Sequence, residues 1–196
     1  MKIVPTNNAQ TLIYVIAPVE IPHSIVFSLL PATGKPFEHN HVVAWTNNAS
    51  TWVLSDTNHI NDEILEASDA VMCVVDGNLG ISPVVIDVLR KSSDLSIPVH
   101  IAVNNSITGR ADFDEVLAII RRVFDEDAVA RYLPLESDEE QSVAGLFDLL
   151  TTDVHVFHNG IITLQAADPE HVNLTVEQRA DIIEVLAHFG LGDTCL

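Results

Sequence analysis

The chain has 196 residues, of which 47% are hydrophobic, and its 9 Lys and Arg residues stand against 28 Asp and Glu residues, for a formal net charge of −19. The apolar content excludes a disordered chain, and this length suits one domain or one domain with an appended lobe. The charge argues against direct binding to nucleic acid, because that affinity rests largely on Lys and Arg neutralising phosphates.

Neither a membrane segment nor an export signal is indicated. No apolar run approaches the roughly 20 residues needed to span a bilayer, and the N-terminus lacks the basic-then-apolar layout of a signal peptide. Two cysteines are too few for a disulfide framework, and Cys73 falls inside a predicted core strand. We therefore expect a cytoplasmic protein without membrane contact, in which Cys73 is a small apolar filler.

The N-terminal third predicts a strand, a helix and a hairpin. Thr11–Ile16 predicts a strand that ends at Ala17, and Ile25–Leu30 predicts the start of a helix. Farther along, Val42–Trp45 and Thr51–Leu54 predict two strands joined by a polar turn.

The centre of the chain predicts a strand–helix–strand unit. Ala70–Val75 is an unbroken apolar run, Pro83–Lys91 has helical spacing, and Val99–Val103 predicts a second buried strand. Strand, helix and strand with short connections form a right-handed crossover between parallel strands. The carboxyl ends of these strands, at Asp76 and Asn104, are where parallel sheets place their ligand sites.

The remaining third predicts both helices and strands. Asp112–Phe124 predicts an amphipathic helix, and Arg131–Leu135 a strand that precedes an acidic loop. An Asn-Gly turn between Val154–Phe157 and Ile161–Leu164 predicts a hairpin. A final helix is predicted from Val176 to Phe189.

Two strings of residues carry a resemblance to a known family. The first runs from Ser68 to Pro83 and contains VVDGNLGISP; the second contains LPL, an acidic loop and then GLFDLL, ending at Leu150. They resemble the G domain of translational GTPases, most closely elongation factor G and its ribosome-protection relatives. The second string resembles elongation factor G at the entrance to its inserted subdomain.

The resemblance, which is specific from Asp69 to Leu150, implies an α/β fold. Residues 1–150 are expected to form a P-loop NTPase-like G domain, a mostly parallel sheet flanked by helices, with degenerate nucleotide motifs. Residues 151–196 are expected to form a truncated elongation factor G-type inserted subdomain, a hairpin plus a helix. The family's last nucleotide loop does not appear before Leu196. On this resemblance the chain is either part of a longer factor or a shortened paralogue.

The family's phosphate loop falls on Ala17–Ser24, where only Ser24, at the magnesium-binding hydroxyl position, keeps the family type. Ala17 replaces the first glycine, and Pro22 has no N–H to donate to a phosphate. His23 replaces the phosphate-binding lysine, and it is shorter and mostly neutral at pH 7. An ordinary strand-to-helix turn is therefore the favoured interpretation.

Two further family motifs are altered. The string DTNH at Asp56–His59 resembles Asp-Thr-Pro-Gly-His, in which the acid holds a metal through water and the histidine positions the attacking water. Asn104, Asn105 and Ile107 take the places of the base-recognition residues Asn, Lys and Asp. The family aspartate accepts two N–H groups of guanine, whereas Ile107 can accept none.

The altered motifs imply a pseudo-GTPase that needs no cofactor and acts as a scaffold or protein-contact module. Its expected partner is a protein. A partner on the ribosome, contacted through further domains, is one possibility that the resemblance implies. The alternative is a working GTP hydrolase with divergent loops, in which Ser24, Asp56 and Asn104 hold GTP and magnesium and His59 orients water.

A third hypothesis is a small metal-binding protein. Its ligands would be histidines in an extended segment and around a hairpin turn: His39, His41, His155 and His158. Zinc sites need three or four convergent ligands. Without a Cys-x-x-Cys string or a helical His pair, solvent-facing histidines are the favoured interpretation.

Overall fold

The computed structural model describes residues 10–19, 37–39, 42–46, 50–77, 79–104, 113–136, 143–158 and 161–188. These residues fall into two compact units, and the boundary between the units lies within residues 117–125. Together they form a mixed α/β protein, as predicted. None of the described helices is both long and apolar enough to cross a membrane.

The first unit contains a six-stranded sheet in the order β2-β3-β4-β1-β5-β6. β4, β1, β5 and β6 are mutually parallel, whereas β3 runs antiparallel to β4 and β2 antiparallel to β3. The predicted parallel arrangement of the three apolar strands is confirmed, and so is the hairpin. The strands are β1 (Thr11–Ala17), β2 (Phe37–His39), β3 (Val42–Thr46), β4 (Ser50–Asp56), β5 (Ala70–Asp76) and β6 (Val99–Asn104).

Both faces of the central strand β1 are buried, which explains its continuous apolar sequence. Tyr14 and Ile16 belong to one apolar cluster, and Val15 and Ala17 belong to a second. Successive side chains of a strand point to opposite faces, so the two clusters lie on the two faces of the sheet. Cys73 is fully buried in the first cluster, as expected for an apolar filler.

Two helices pack their apolar residues into the first cluster. α1 (Asp62–Ala67) begins at Asn61, whose side chain accepts the N–H of Ile64. α2 (Pro83–Asp94) begins at Ser82, whose hydroxyl accepts the N–H of Val85. Such caps satisfy helical N–H groups that have no partner within the helix. The residues buried in the cluster are Leu65, Val85, Val88 and Leu89.

The boundary between the units falls in α3 (Phe113–Val123), and the second unit is built on an antiparallel sheet in the order β10-β9-β8-β7. Its core contains Phe147, Leu149, Val154 and Ile182. The elements are β7 (Tyr132–Glu136), β8 (Val143–Asp148), β9 (Asp153–His158), β10 (Ile161–Ala166), α4 (Pro169–Leu174) and α5 (Val176–His188).

The second unit includes more than the predicted hairpin and helix. β8 pairs with β9, so β7 and β8, which the resemblance assigned to the G domain before residue 150, share one sheet with the hairpin. The short helix α4 was not predicted. Its first turn is closed by Asp168, whose side chain accepts the N–H of Glu170.

Candidate functional site

Four parallel strands of the first unit end at one edge of the sheet. In the register, Ala17 of β1 lies beside Asp56 of β4, and Asp76 of β5 lies beside Asn104 of β6. β1 lies between β4 and β5, so the chain first adds strands on one side of β1 and then on the other. Ligands of open α/β sheets bind at the carboxyl ends of strands where the order reverses in this way. This edge is the candidate site.

Asp56 closes its own turn. Its Oδ1 accepts the N–H of Asn58 at 2.8 Å and lies 2.8 Å from Nδ1 of His59. The N–H of His59 also donates to the Asp56 carbonyl at 3.0 Å. The N–H of Thr57 donates to the carbonyl of Ala17 at 3.0 Å, which ties the end of β4 to the end of β1.

The contact between Asp56 and His59 joins the two polar side chains of this turn. With the imidazole neutral, Nδ1–H donates to the carboxylate. Only 15% of the Asp56 side chain is exposed, against 42% of the His59 side chain. The phosphate-binding and base-binding parts of a nucleotide site would have to come from other residues.

Asp76 closes a second turn at the same edge. Its side chain is buried, and Oδ1 accepts the N–H of Leu79 at 3.3 Å. Its carbonyl accepts the N–H of Gly80 at 3.0 Å, and the φ of Gly80 is 74°, in the left-handed region that favours glycine. The position of Asp76 at the site edge was predicted from the sequence. Its part in closing this turn was not.

Asn104 joins the ends of β5 and β6 through its backbone. Its carbonyl accepts the N–H of Gly77 at 2.9 Å. The side-chain Nδ2 is buried and has no hydrogen-bond partner in the part of the chain that is described. The hydrogen bond that joins the two strand ends therefore comes from the main chain of Asn104.

The other predicted site residues lie outside the described residues: Pro22, His23, Ser24, Asn105 and Ile107. The interpretations of the phosphate loop and the base-recognition box therefore stay predictions. Of the predicted residues, the structure brings together Ala17 with Asp56 and His59 on one side of the edge. It places Asn104 at the end of β6.

The histidines of the third hypothesis do not form a metal site in the described ranges, which contain no group of three His, Cys, Asp or Glu side chains able to hold a metal. His155 lies in β9, where its ring meets the Tyr132 ring edge-on with centroids 5.8 Å apart. The side chains of His39 and His158, and the whole of His41, lie outside the description.

No protein-family model matches this chain. Its fold is similar to the crystal structure of the protein ttk003000868 from Thermus thermophilus, with a TM-score of 0.66 and 15% sequence identity. The match covers 93% of this chain and 32% of the other, so this chain spans about a third of the length of that protein. The likeness shows a shared fold. It carries no information on activity.

Proposed function

We propose that this chain is an elongation factor G-like domain of the GTP-binding type that has lost GTP binding and hydrolysis and acts as a protein-contact module. Three features support the proposal. They are the resemblance from Asp69 to Leu150, the four parallel strands that end at one edge, and the polar residues Asp56, Asp76 and Asn104 at that edge.

The observation that carries the proposal is the hydrogen bonding of the Asp56 side chain. In the family this acid reaches a metal through water, and the glycine N–H that follows meets the terminal phosphate. Here Oδ1 of Asp56 is occupied by Asn58 N–H and by His59 Nδ1, both at 2.8 Å. The N–H of Asn58 thus points back to its own turn. The motif serves as a structural turn, with the acid and the histidine bonded to each other.

The substitutions elsewhere in the expected pocket act in the same direction. His23 in place of lysine and Pro22 in place of a backbone donor weaken phosphate binding. Ile107 in place of aspartate leaves guanine donors unpaired, which costs roughly 1.5–3 kcal/mol for each charge-assisted bond. Losses at several parts of one pocket are expected when binding is no longer required.

The charge indicates the kind of partner. A formal net charge of −19 disfavours contact with polyphosphate surfaces and favours a cationic protein surface. A ribosome-associated protein is one such partner, and we propose contact through protein rather than through RNA.

Equilibrium dialysis with radiolabelled GTP and GDP, with and without magnesium, tests the proposal directly. We expect no nucleotide binding at millimolar concentration, and the same result for the wild-type chain and for Asp56→Ala. Saturable binding that requires magnesium and is lost in Asp56→Ala would show that the acid still serves a metal. The working GTPase would then replace our proposal.

A further inference from the structure

β10 forms an exposed edge of the antiparallel sheet. All six of its residues are exposed, and three of them are large apolar residues: Ile161 is 64% exposed, Ile162 63% and Leu164 62%. Among the described strands, β10 pairs with β9 alone. Its other side is therefore a free row of backbone donors and acceptors within the described sheet.

The sequence of β10 lacks the devices that usually protect such an edge. Edge strands are commonly blunted by charged side chains, by proline or by a bulge. The strand sequence is IITLQA, with neither charge nor proline, and its register with β9 is regular from Ile161 to Ala166. Six residues of regular strand span about 20 Å. The edge is thus long enough to pair with a strand of similar length.

Apolar and aromatic side chains continue from this edge onto one face of the sheet. Residues directly opposite in an antiparallel pair share a face. Ile162 is opposite Phe157, which is 38% exposed, and Leu164 is opposite His155. The ring of His155 in turn meets Tyr132 of β7. An added strand would therefore find apolar contacts for every second side chain.

The charge of the second unit distinguishes between two possible binding partners for β10, a second copy of the chain and a basic peptide. Residues 125–188 contain fourteen Asp and Glu residues against two Arg. Asp153 is opposite Ala166 at the end of β10, and Asp168 and Glu170 follow the strand. A second copy would bring a second acidic surface, whereas a peptide with lysine or arginine would complement this one.

We propose that β10 binds an extended segment of a protein partner as an added strand, and that the segment alternates apolar residues with lysine or arginine. Backbone hydrogen bonds would give affinity, and the face that carries Ile162 and Leu164 would select the apolar side chains. The inference rests on the proposed protein-contact role but does not depend on the loss of GTP binding.

The test starts from random twelve-residue peptides displayed on phage and selected on the full chain. Enriched peptides are then synthesised with a fluorescent label, and their Kd values are measured by anisotropy. The site variant is Ile162→Thr with Leu164→Thr, which places at both positions a β-branched residue that is suited to a strand. The matched control is Leu79→Thr, because Leu79 is 70% exposed in the other unit.

We expect enriched peptides to alternate apolar and basic residues, and their Kd to rise by about tenfold or more in the site variant but not in the control. Replacing their basic residues by glutamate should abolish binding. Hydrogen exchange of the β10 amides should slow when peptide is bound, since an added strand protects backbone N–H groups.

Several results would overturn the inference: no enrichment, equal binding to the site variant, or enrichment of acidic peptides. A dimer that the site variant dissociates would make a second copy the occupant and would also overturn it. GTP dialysis separates this inference from the proposed function. A chain that binds both peptide and GTP retains the docking edge but refutes the pseudo-GTPase, and a chain that binds neither refutes the docking edge alone.

Discussion

Oδ1 of Asp56 lies 2.8 Å from Nδ1 of His59 and accepts the N–H of Asn58 at the same distance. The turn after β4 is therefore held by Asp56, the side chain that the proposed resemblance to translational GTPases aligns with a metal-binding acid. This relationship makes Asp56 a structural residue in our account, and its removal should affect stability rather than nucleotide chemistry.

Asp56→Ala should lower the free energy of unfolding by about 1–2 kcal/mol, because two donors in a partly buried turn lose their acceptor. Asp56→Asn keeps an acceptor oxygen, so its free energy of unfolding should fall by less. Urea unfolding measures the loss in both variants. The control is Asp87→Ala, since Asp87 and its partner Arg90 are exposed and 3.7 Å apart, and exposed pairs contribute about 0–1 kcal/mol. Equal stability of Asp56→Ala and the wild type would contradict the structural assignment.

The second unit contains a more buried carboxylate. The Asp148 side chain is 2% exposed; its Oδ2 accepts from Nη2 of Arg131 at 3.0 Å, and its Oδ1 accepts from the N–H of Leu150 at 2.9 Å. Arg131 also lies over the Tyr132 ring, 5.0 Å from its centroid. Burial, as the largest cause, raises the pKa of Tyr132 above its ordinary value.

Arg131→Met should lower the free energy of unfolding by about 2–4 kcal/mol, because it leaves the buried Asp148 carboxylate without its cation. The matched substitution is Arg90→Met, which breaks the exposed pair with Asp87 and should cost less than about 1 kcal/mol. Chemical denaturation of the two variants in parallel gives the comparison. Similar losses in both would mean that the burial of Asp148 has no energetic consequence.

The parallel sheet could be predicted because its strands are marked locally. β1 and β5 are continuous apolar runs, and an uninterrupted run of that length is typical of a strand buried on both faces. The pairing of β8 with β9 was not predicted, although only residues 149–152 separate the two strands. β8 has the sequence VAGLFD, and glycine and aspartate are uncommon in strands, so its residue types did not mark it as a strand.

The location of the candidate site could be predicted from the sequence, but its hydrogen-bond geometry could not. Parallel strands place Asp76 and Asn104 at one edge of the sheet for any conformation of the loops that follow. The hydrogen bond between Asp56 and His59 depends on the backbone conformation of the turn, and residue type alone does not specify that conformation. For the same reason, the sequence did not predict that the Asp76 side chain closes its own turn by accepting the N–H of Leu79.

Cys73 gives a prediction for alkaline pH. Burial raises the pKa of its thiol from 9.0 to about 12. Because the folded-state pKa lies above the unfolded value, the stabilisation is fully present below pH 9 and is lost as pH rises towards 12, by at most about 1.4 kcal/mol per pH unit for this group.

The measurement is urea unfolding between pH 8 and pH 11 for the wild type and for Cys73→Ala. We expect the wild type to lose stability more steeply than the variant above pH 9. In a Cys195→Ser background at pH 8, the folded chain should also resist thiol-modifying reagents that react promptly after unfolding. Parallel pH profiles, or rapid modification of the folded chain, would show that Cys73 is accessible.

The proposed loss of GTP binding is tested most directly by the thermal midpoint of the chain in 1 mM magnesium GTP. A ligand at 100 times its dissociation constant stabilises the folded state by about 2.7 kcal/mol, and for a chain of this size each kcal/mol moves Tm by roughly 2–4 °C. A functional pocket with a dissociation constant near 10 μM would therefore raise Tm by about 5–11 °C. Our account predicts no shift beyond that given by magnesium ATP, which serves as the polyanion control. A rise that requires both guanine and magnesium would contradict it.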